Sequence, residues 1–248
     1  MIVPTYNERD RLRELTRSLF DAAAASRLHL ELVIVDDNSP DGTGVVADEL
    51  AATHRITVVH RAGKLGLGTA VVAGFGVASA AVVGVMDADF SHPPMLVPRM
   101  LAVFRATGAD VLVSSRYIPG GSTPDWPFKR RLLSRIGCLL ARPLSPIRDA
   151  ASGFFLIRKS IAQGVTIQAG GFKICLELIV RGRPASLVEI PYRFDDRELG
   201  ESKMSTREAA GYLVQLKDLY LLSLSSGRPP RRYRQLTAAQ VDDIVNQH

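Results

Sequence analysis

Apolar and polar positions follow two alternating rhythms through the first half of the chain. Four short runs, Leu30-Glu-Leu-Val-Ile-Val-Asp36, Ile56-Thr-Val-Val-His60, Val82-Val-Gly-Val-Met86 and Asp110-Val-Leu-Val-Ser114, read as strands, the first and third apolar enough to be covered on both faces. Ile2-Val3 reads as a truncated first strand. Between these runs, apolar residues recur three or four positions apart, as on one face of a helix. Asn7 is expected to cap a helix with Leu12, Leu15 and Leu19 on one side, and Asp41 a second containing Val45, Val46 and Leu50. Thr69 to Ser79 reads as a third, and Pro93 opens a fourth with Met95, Leu96, Met100 and Leu101 inward. The alternation predicts an α/β protein, an open, mostly parallel sheet with helices on both faces.

The second half is less regular. Trp126 to Arg142 predicts a basic amphipathic helix that gathers Leu132, Ile136, Leu139 and Leu140 on one side. Two readings of it are open: an interfacial helix on a lipid surface, or a core-packed helix with a basic outer face. Ser152 to Ile157 reads as a strand, Ile174 to Val180 as a helix, Arg193 to Ser205 as a charged loop and Arg207 to Leu224 as a long helix. One domain over residues 1–224 is expected, followed by a loosely held, polar and basic tail over 225–248.

Composition narrows the class. The 248 residues are 46% hydrophobic and 23% charged, the proportions of an ordinary folded domain. Two cysteines, Cys138 and Cys175, exclude a disulfide scaffold or a zinc module. No apolar run approaches the roughly 18 residues of a membrane span, and the opening residues lack the pattern of a signal peptide. The expected location is therefore cytoplasmic. Charge is uneven: residues 1–124 hold 11 Lys/Arg against 13 Asp/Glu, and residues 125–248 hold 20 against 12. The second half carries the entire basic excess, which suits a partner bearing phosphate. Aromatic content of 6%, not interleaved with the basic positions, argues against nucleic acid.

Ligands of open α/β sheets bind beyond the carboxyl ends of the strands. Three polar clusters fall there: Pro4-Thr-Tyr-Asn-Glu8, Asp36-Asp37-Asn-Ser39 and Asp87-Ala-Asp89. Two acids closing a buried strand supply hard oxygen ligands for Mg²⁺ or Mn²⁺ and a diphosphate. Of Asp36 and Asp37, one can accept from a base or ribose while the other caps the turn. In Gly63-Lys-Leu-Gly-Leu-Gly-Thr69, Lys64 is free to meet phosphate at a tight turn. Arg197 and Lys203 flank Gly200 in a loop that either closes over phosphate or is a solvated surface loop. His92 reads as a helix-entry residue with a structural hydrogen bond.

Taken in order, the motifs at Pro4–Glu8, Val35–Ser39, Gly66–Ala70, Asp87–Pro94, Ser115–Tyr117, Asp149–Phe154 and Gly200–Lys203 resemble family 2 glycosyltransferases of the GT-A fold, most of all the polyprenol (dolichol) monophosphate mannose synthases. The resemblance covers about residues 1–224. It implies mannose transfer from GDP-mannose to a polyprenyl monophosphate at the cytoplasmic face of a membrane, with peripheral docking through the 126–142 helix or a separate anchoring protein. It implies that Pro4, Tyr6, Glu8, Val35 and Asp37 hold the guanosine, and that Asp87, Ala88 and Asp89 contact the nucleotide sugar, with Asp89 the principal metal ligand. Arg116, Lys173, Arg197 and Lys203 fall where the family places cations for the diphosphate and the lipid phosphate. Where the family has a metal-binding Gln two residues past the second acid, this chain has Ser91, expected as a further metal ligand that is shorter and reaches the ion only through a changed geometry or a water. A UDP-glucose-dependent polyprenyl-phosphate glucosyltransferase and a non-catalytic nucleotide-sugar or lipid-binding subunit are the alternatives.

Overall fold

The computed structural model describes residues 1–167, 173–195, 206–227 and 229–247. In chain order the elements are β1 (Ile2–Thr5), α1 (Arg9–Ala25), β2 (Leu32–Asp36), α2 (Thr43–Ala51), β3 (Ile56–His60), α3 (Leu67–Val77), β4 (Val82–Val85), α4 (Leu96–Thr107) and β5 (Val111–Ser115). They continue as α5 (Phe128–Ala141), β6 (Phe155–Arg158), α6 (Lys159–Ala162), α7 (Ile174–Gly182), β7 (Ser186–Pro191), α8 (Thr206–Ser226), β8 (Arg232–Gln235) and α9 (Ala238–Asn246).

The described strands form one sheet in the order β3-β2-β1-β4-β6-β5-β7-β8. β6 runs antiparallel to both its neighbours, β4 and β5, and every other pairing is parallel. The expected open, mostly parallel α/β sheet is therefore present. Helices α1, α2, α4 and α9 cover one face and α3 and α7 the other, each with its own apolar cluster. The chain moves outward from β1 to β2 and β3, then crosses back to place β4 on the other side of β1. The crevice at such a reversal is where open α/β sheets take ligands, and Pro4–Glu8 and Asp87–Asp89 leave the sheet on its two sides.

Several local expectations change. Asn7 has a φ of 60° and Glu8 is the N-cap of α1, and Gly42 rather than Asp41 is the N-cap of α2. Met95 is exposed rather than inward, while Met100 is fully buried. In place of a loosely held tail after residue 225, the chain rejoins the sheet: Ser186–Glu189 of β7 pair with Arg232–Gln235 of β8. Leu236 and Val241, buried in the main core, are the physical reason, and Thr237 and Gln240 close a capping box that starts α9.

For α5 the sequence left two readings open. Its buried residues are the small Cys138 and Ala141. Phe128, Leu132, Leu133, Ile136, Leu139 and Leu140 are exposed, Phe128 by 71% and Leu139 by 68%. A core-packed helix with a basic outer face would show the reverse. The small side lets α8 approach: the Tyr212 hydroxyl donates to the Gly137 carbonyl at 2.8 Å, and Tyr220 to that of Leu140 at 2.6 Å. Leu213, Val214, Leu221 and Leu224 of α8 are exposed as well. Among the described residues, no helix is long and apolar enough to cross a membrane.

Candidate active site

β4 delivers Asp87, Ala88 and Asp89 to the crevice. Asp89 is 5% exposed, and its Oδ1 accepts from the Ser91 backbone N–H at 3.0 Å and the Ser91 hydroxyl at 2.6 Å. Ser91, expected as a metal ligand, thus serves in this structure to orient Asp89. The backbone N–H of Asp87 donates to Nδ1 of His92 at 2.9 Å, the structural hydrogen bond foreseen for that residue. The ring proton therefore sits on Nε2, which lies 3.8 Å from Oδ2 of Asp87. Burial holds the His92 pKa below its ordinary value, against the pull of Asp87 and Asp89. Its plane stacks on Phe154, 4.9 Å between centroids, with Tyr192 and Phe194 edge-on.

These acids suit a hard divalent cation. The Asp87 side chain keeps 35% of its surface exposed. Beside it stands Gly153, where a Cβ would come within 3.6 Å of both Asp87 carboxylate oxygens and 3.3 Å of His92 Cε1. The missing side chain leaves that space open. Among the described residues no group of three or more His, Cys, Asp or Glu side chains forms a cage. Two carboxylates with the remaining positions left to phosphate and water is the usual manner of Mg²⁺ binding.

Across the crevice, the end of β5 supplies Arg116. Its Nε and Nη2 each lie 2.7 Å from an oxygen of Asp149, and its backbone N–H donates to Oδ2 of the same acid at 2.9 Å. Burial alone would lower its pKa, but the Asp149 carboxylate outweighs that and holds it raised. Nη1 takes no part in the pair. The guanidinium also lies 5.1 Å from the Trp126 ring centroid and 5.5 Å from that of Phe194. Gly121 keeps this loop tight, since a Cβ there would sit 2.4 Å from the Ser115 carbonyl. Lys173 converges on the same locus: burial first, then Arg116, lowers its pKa, while Asp149 and Asp87 act in the opposite sense. Arg197 and Lys203 lie outside the described residues.

At the nucleotide end, both acids of the Asp36–Asp37 pair are engaged within the protein. Asp36 caps the turn through Ser39, at 2.5 Å to the hydroxyl and 3.1 Å to the backbone N–H. Asp37 pairs with Arg61 at 2.6 Å and accepts from the backbone N–H groups of Leu65 and Gly66, both at 3.0 Å. It thereby ties the glycine-rich loop to β2. Lys64 of that loop stands 3.9 Å over the Tyr6 ring. Pro4, Tyr6 and Glu8 line the opening half-buried, whereas the Val35 and Ala88 side chains lie within the core.

Residue pattern alone missed three contributors. Arg130 of α5 stacks on Trp126 at 4.0 Å. The Trp126 indole N–H is buried without a hydrogen-bond partner. Glu189 of β7 accepts from the backbone N–H groups of Arg148 and Asp149. Only the first has a sequence signal, the basic run at the start of the helix.

Comparison with known proteins places the chain in a class, the glycosyltransferases: residues 1–176 match the family described as Glycosyl transferase family 2. The dolichol-phosphate mannosyltransferase of Saccharomyces cerevisiae is 35% identical over 91% of this chain and 88% of its own length. The polyprenol monophosphomannose synthase of Mycolicibacterium smegmatis is 39% identical over 83% and 80%. The dolichol-phosphate mannosyltransferase of Pyrococcus furiosus is 40% identical over 86% of this chain, which spans 61% of that relative's length. The chain therefore belongs to glycosyl transferase family 2, and over most of its length it is similar to proteins named dolichol-phosphate mannosyltransferase and polyprenol monophosphomannose synthase. A mannosyltransferase from Pyrobaculum calidifontis, solved in complex with GDP-Man and Mn²⁺, shares the fold with a TM-score of 0.65 at 17% identity, over 99% of this chain and 67% of that one. Glucosyl-3-phosphoglycerate synthase from Mycobacterium tuberculosis, in complex with Mn²⁺ and UDP, gives 0.61 at 19% identity, over 92% and 79%.

Proposed function

We propose that this chain transfers mannose from GDP-mannose to a polyprenyl monophosphate with inversion, giving polyprenyl phosphate β-mannose and GDP, while docked peripherally on the cytoplasmic face of a membrane. The observation that carries the reading is the opposition of Asp87 and Asp89 to the cations around Arg116 across one crevice, in a chain whose relatives bear these names. A lipid phosphate has a second pKa near ~6 and is largely dianionic at neutral pH. Its oxygen can attack C1 of mannose with no protein base to receive a proton. The new O–C1 bond forms as the bond from C1 to the diphosphate breaks, and GDP leaves with the electron pair.

On this reading Asp89, oriented by Ser91, and Asp87, held by His92, would hold Mg²⁺ or Mn²⁺. A divalent ion there offsets charge on the leaving group. Arg116, Lys173, Arg197 and Lys203 meet the phosphates, with Arg116 fixed by Asp149 in advance of binding. Asp37 supports the guanosine pocket by holding the 61–66 loop, with Pro4, Tyr6, Glu8 and the backbone at Val35 along its wall. The outward apolar residues of α5 enter the interface, and the basic excess of the second half suits an anionic leaflet. The test is an assay of labelled GDP-mannose with a short polyprenyl phosphate in detergent, with and without EDTA. Mannosyl lipid that forms only with divalent metal is the expected result. Transfer from UDP-glucose in its place, or no sugar transfer at all, would overturn the assignment.

A further inference from the structure

Glu189 is fully buried on β7, and among the described residues its carboxylate bonds to the 148–149 turn and to Tyr233 rather than to Asp87, Asp89 or the Arg116 guanidinium. Its oxygens accept from the Arg148 N–H at 2.9 and 3.0 Å and from the Asp149 N–H at 3.0 Å. The Tyr233 hydroxyl, from β8, donates to Oε2 of the same carboxylate. Asp149 in turn carries the two 2.7 Å contacts that fix Arg116. A continuous chain of polar contacts thus runs from the strand at the sheet's edge to the crevice, and both Glu189 and Tyr233 lie beyond the 1–176 match to the family.

We propose that Glu189, braced by Tyr233, is a positioning residue that sets the place of the Arg116–Asp149 pair, so that the C-terminal strand controls how Arg116 meets an anionic acceptor. The proposal rests on the reading of Arg116 as a phosphate partner. Two backbone N–H groups converging on one buried carboxylate leave the 148–149 turn little freedom. A neutral Glu189 would offer one oxygen as donor where two N–H groups and a hydroxyl already point in, so the turn would open. The charged form is therefore the working one. The groups facing it are Arg148 and Asp149 on the turn, Tyr233 on β8, Ser115 on β5 and Cys175 on α7. Burial raises the Glu189 pKa, and the Tyr233 bond acts against that rise. Loss of the hydroxyl must lift it further.

The test uses the full chain with Tyr233→Phe and Glu189→Gln, and Thr237→Ala as a control that loosens α9 without touching Glu189. For Tyr233→Phe, the acceptor KM should rise about fivefold with the GDP-mannose KM within twofold, and the acid limb of the pH–rate profile should move to higher pH. Glu189→Gln should raise the acceptor KM more and flatten that limb. Trp126 is the single tryptophan of the chain. Its emission, read without substrate, should change in both variants because Arg116 stands beside it, and stay unchanged in Thr237→Ala. Emission and acid limb unmoved in Tyr233→Phe, or reproduced by Thr237→Ala, would overturn the proposal. If the wild-type chain transfers no mannose, the function falls, and the emission test still decides whether Glu189 places Arg116.

Discussion

Helices α1 and α5 carry the same kind of pattern, large apolar residues three or four apart with charges between them, and they face opposite ways. α1 turns Leu12, Leu15 and Leu19 onto the sheet, where each is at most 1% exposed. α5 turns Leu132, Ile136 and Leu139 to the outside, 44% exposed or more, and packs through Cys138 and Ala141. The difference lies in the opposite face of each helix. Behind the apolar stripe of α1 stand Arg13, Glu14 and Arg17, costly to bury; behind that of α5 stand Ser134, Gly137, Cys138 and Ala141, which a neighbouring helix can approach closely. Periodicity shows that an apolar stripe exists, and the bulk and polarity of the other side decide whether protein or something else covers it. The inward region, crevice included, should thus answer to mutation in catalysis or stability, and the α5 face in lipid binding.

The largest effect is expected inside. Asp89→Ala removes the carboxylate that Ser91 orients, and transfer should fall at least about 10³-fold, roughly 4 kcal/mol of transition-state stabilisation. Circular dichroism should be unchanged. Near-normal turnover would mean that Asp89 is not the metal ligand. Next comes Leu15→Ala, which opens a cavity under α1 and should cost about 3 kcal/mol in urea unfolding. The equivalent truncation of Leu139 on α5 should cost less than about 0.5 kcal/mol. Equal losses at the two positions would break the contrast between the helices.

β2, β4 and β5 and the crevice acids were legible because burial on both faces leaves an unmistakable apolar run, and Asp87 and Asp89 interrupt one abruptly, whereas β7 and β8 were not foreseen. The rest was hidden by distance along the chain. Asp37 meets Arg61, 24 residues on, and no local pattern announces that pairing. The final segment is polar in composition, yet two residues, Leu236 and Val241, suffice to dock it once β7 offers an open edge. Glu189 sits in a strand whose pattern predicts only burial, and its role follows from the turn that β7 happens to pass. The orientation of α5 was open in the sequence because both of its sides tolerate burial, and packing against α8 settled it.

The smallest effects sharpen the comparison most. With Leu132, Ile136 and Leu139 changed together to Ser, the fold should hold within about 1 kcal/mol, since all three are surface residues exposed by 44% or more. Flotation with anionic liposomes should weaken at least tenfold, because three apolar side chains leave the interface at a gain of roughly 1.5 kcal/mol or more each when inserted. Charge reversal is a subtler probe. Arg131 and Arg135 border the stripe, and each cation near an anionic surface contributes about 1 kcal/mol, so Arg131→Glu with Arg135→Glu should weaken flotation at low salt and matter little in high salt, where screening shortens the reach of the surface charge. The serine variant should show the converse, a loss that salt does not mask. If both variants float like the wild type, α5 does not face lipid, and a protein must cover it.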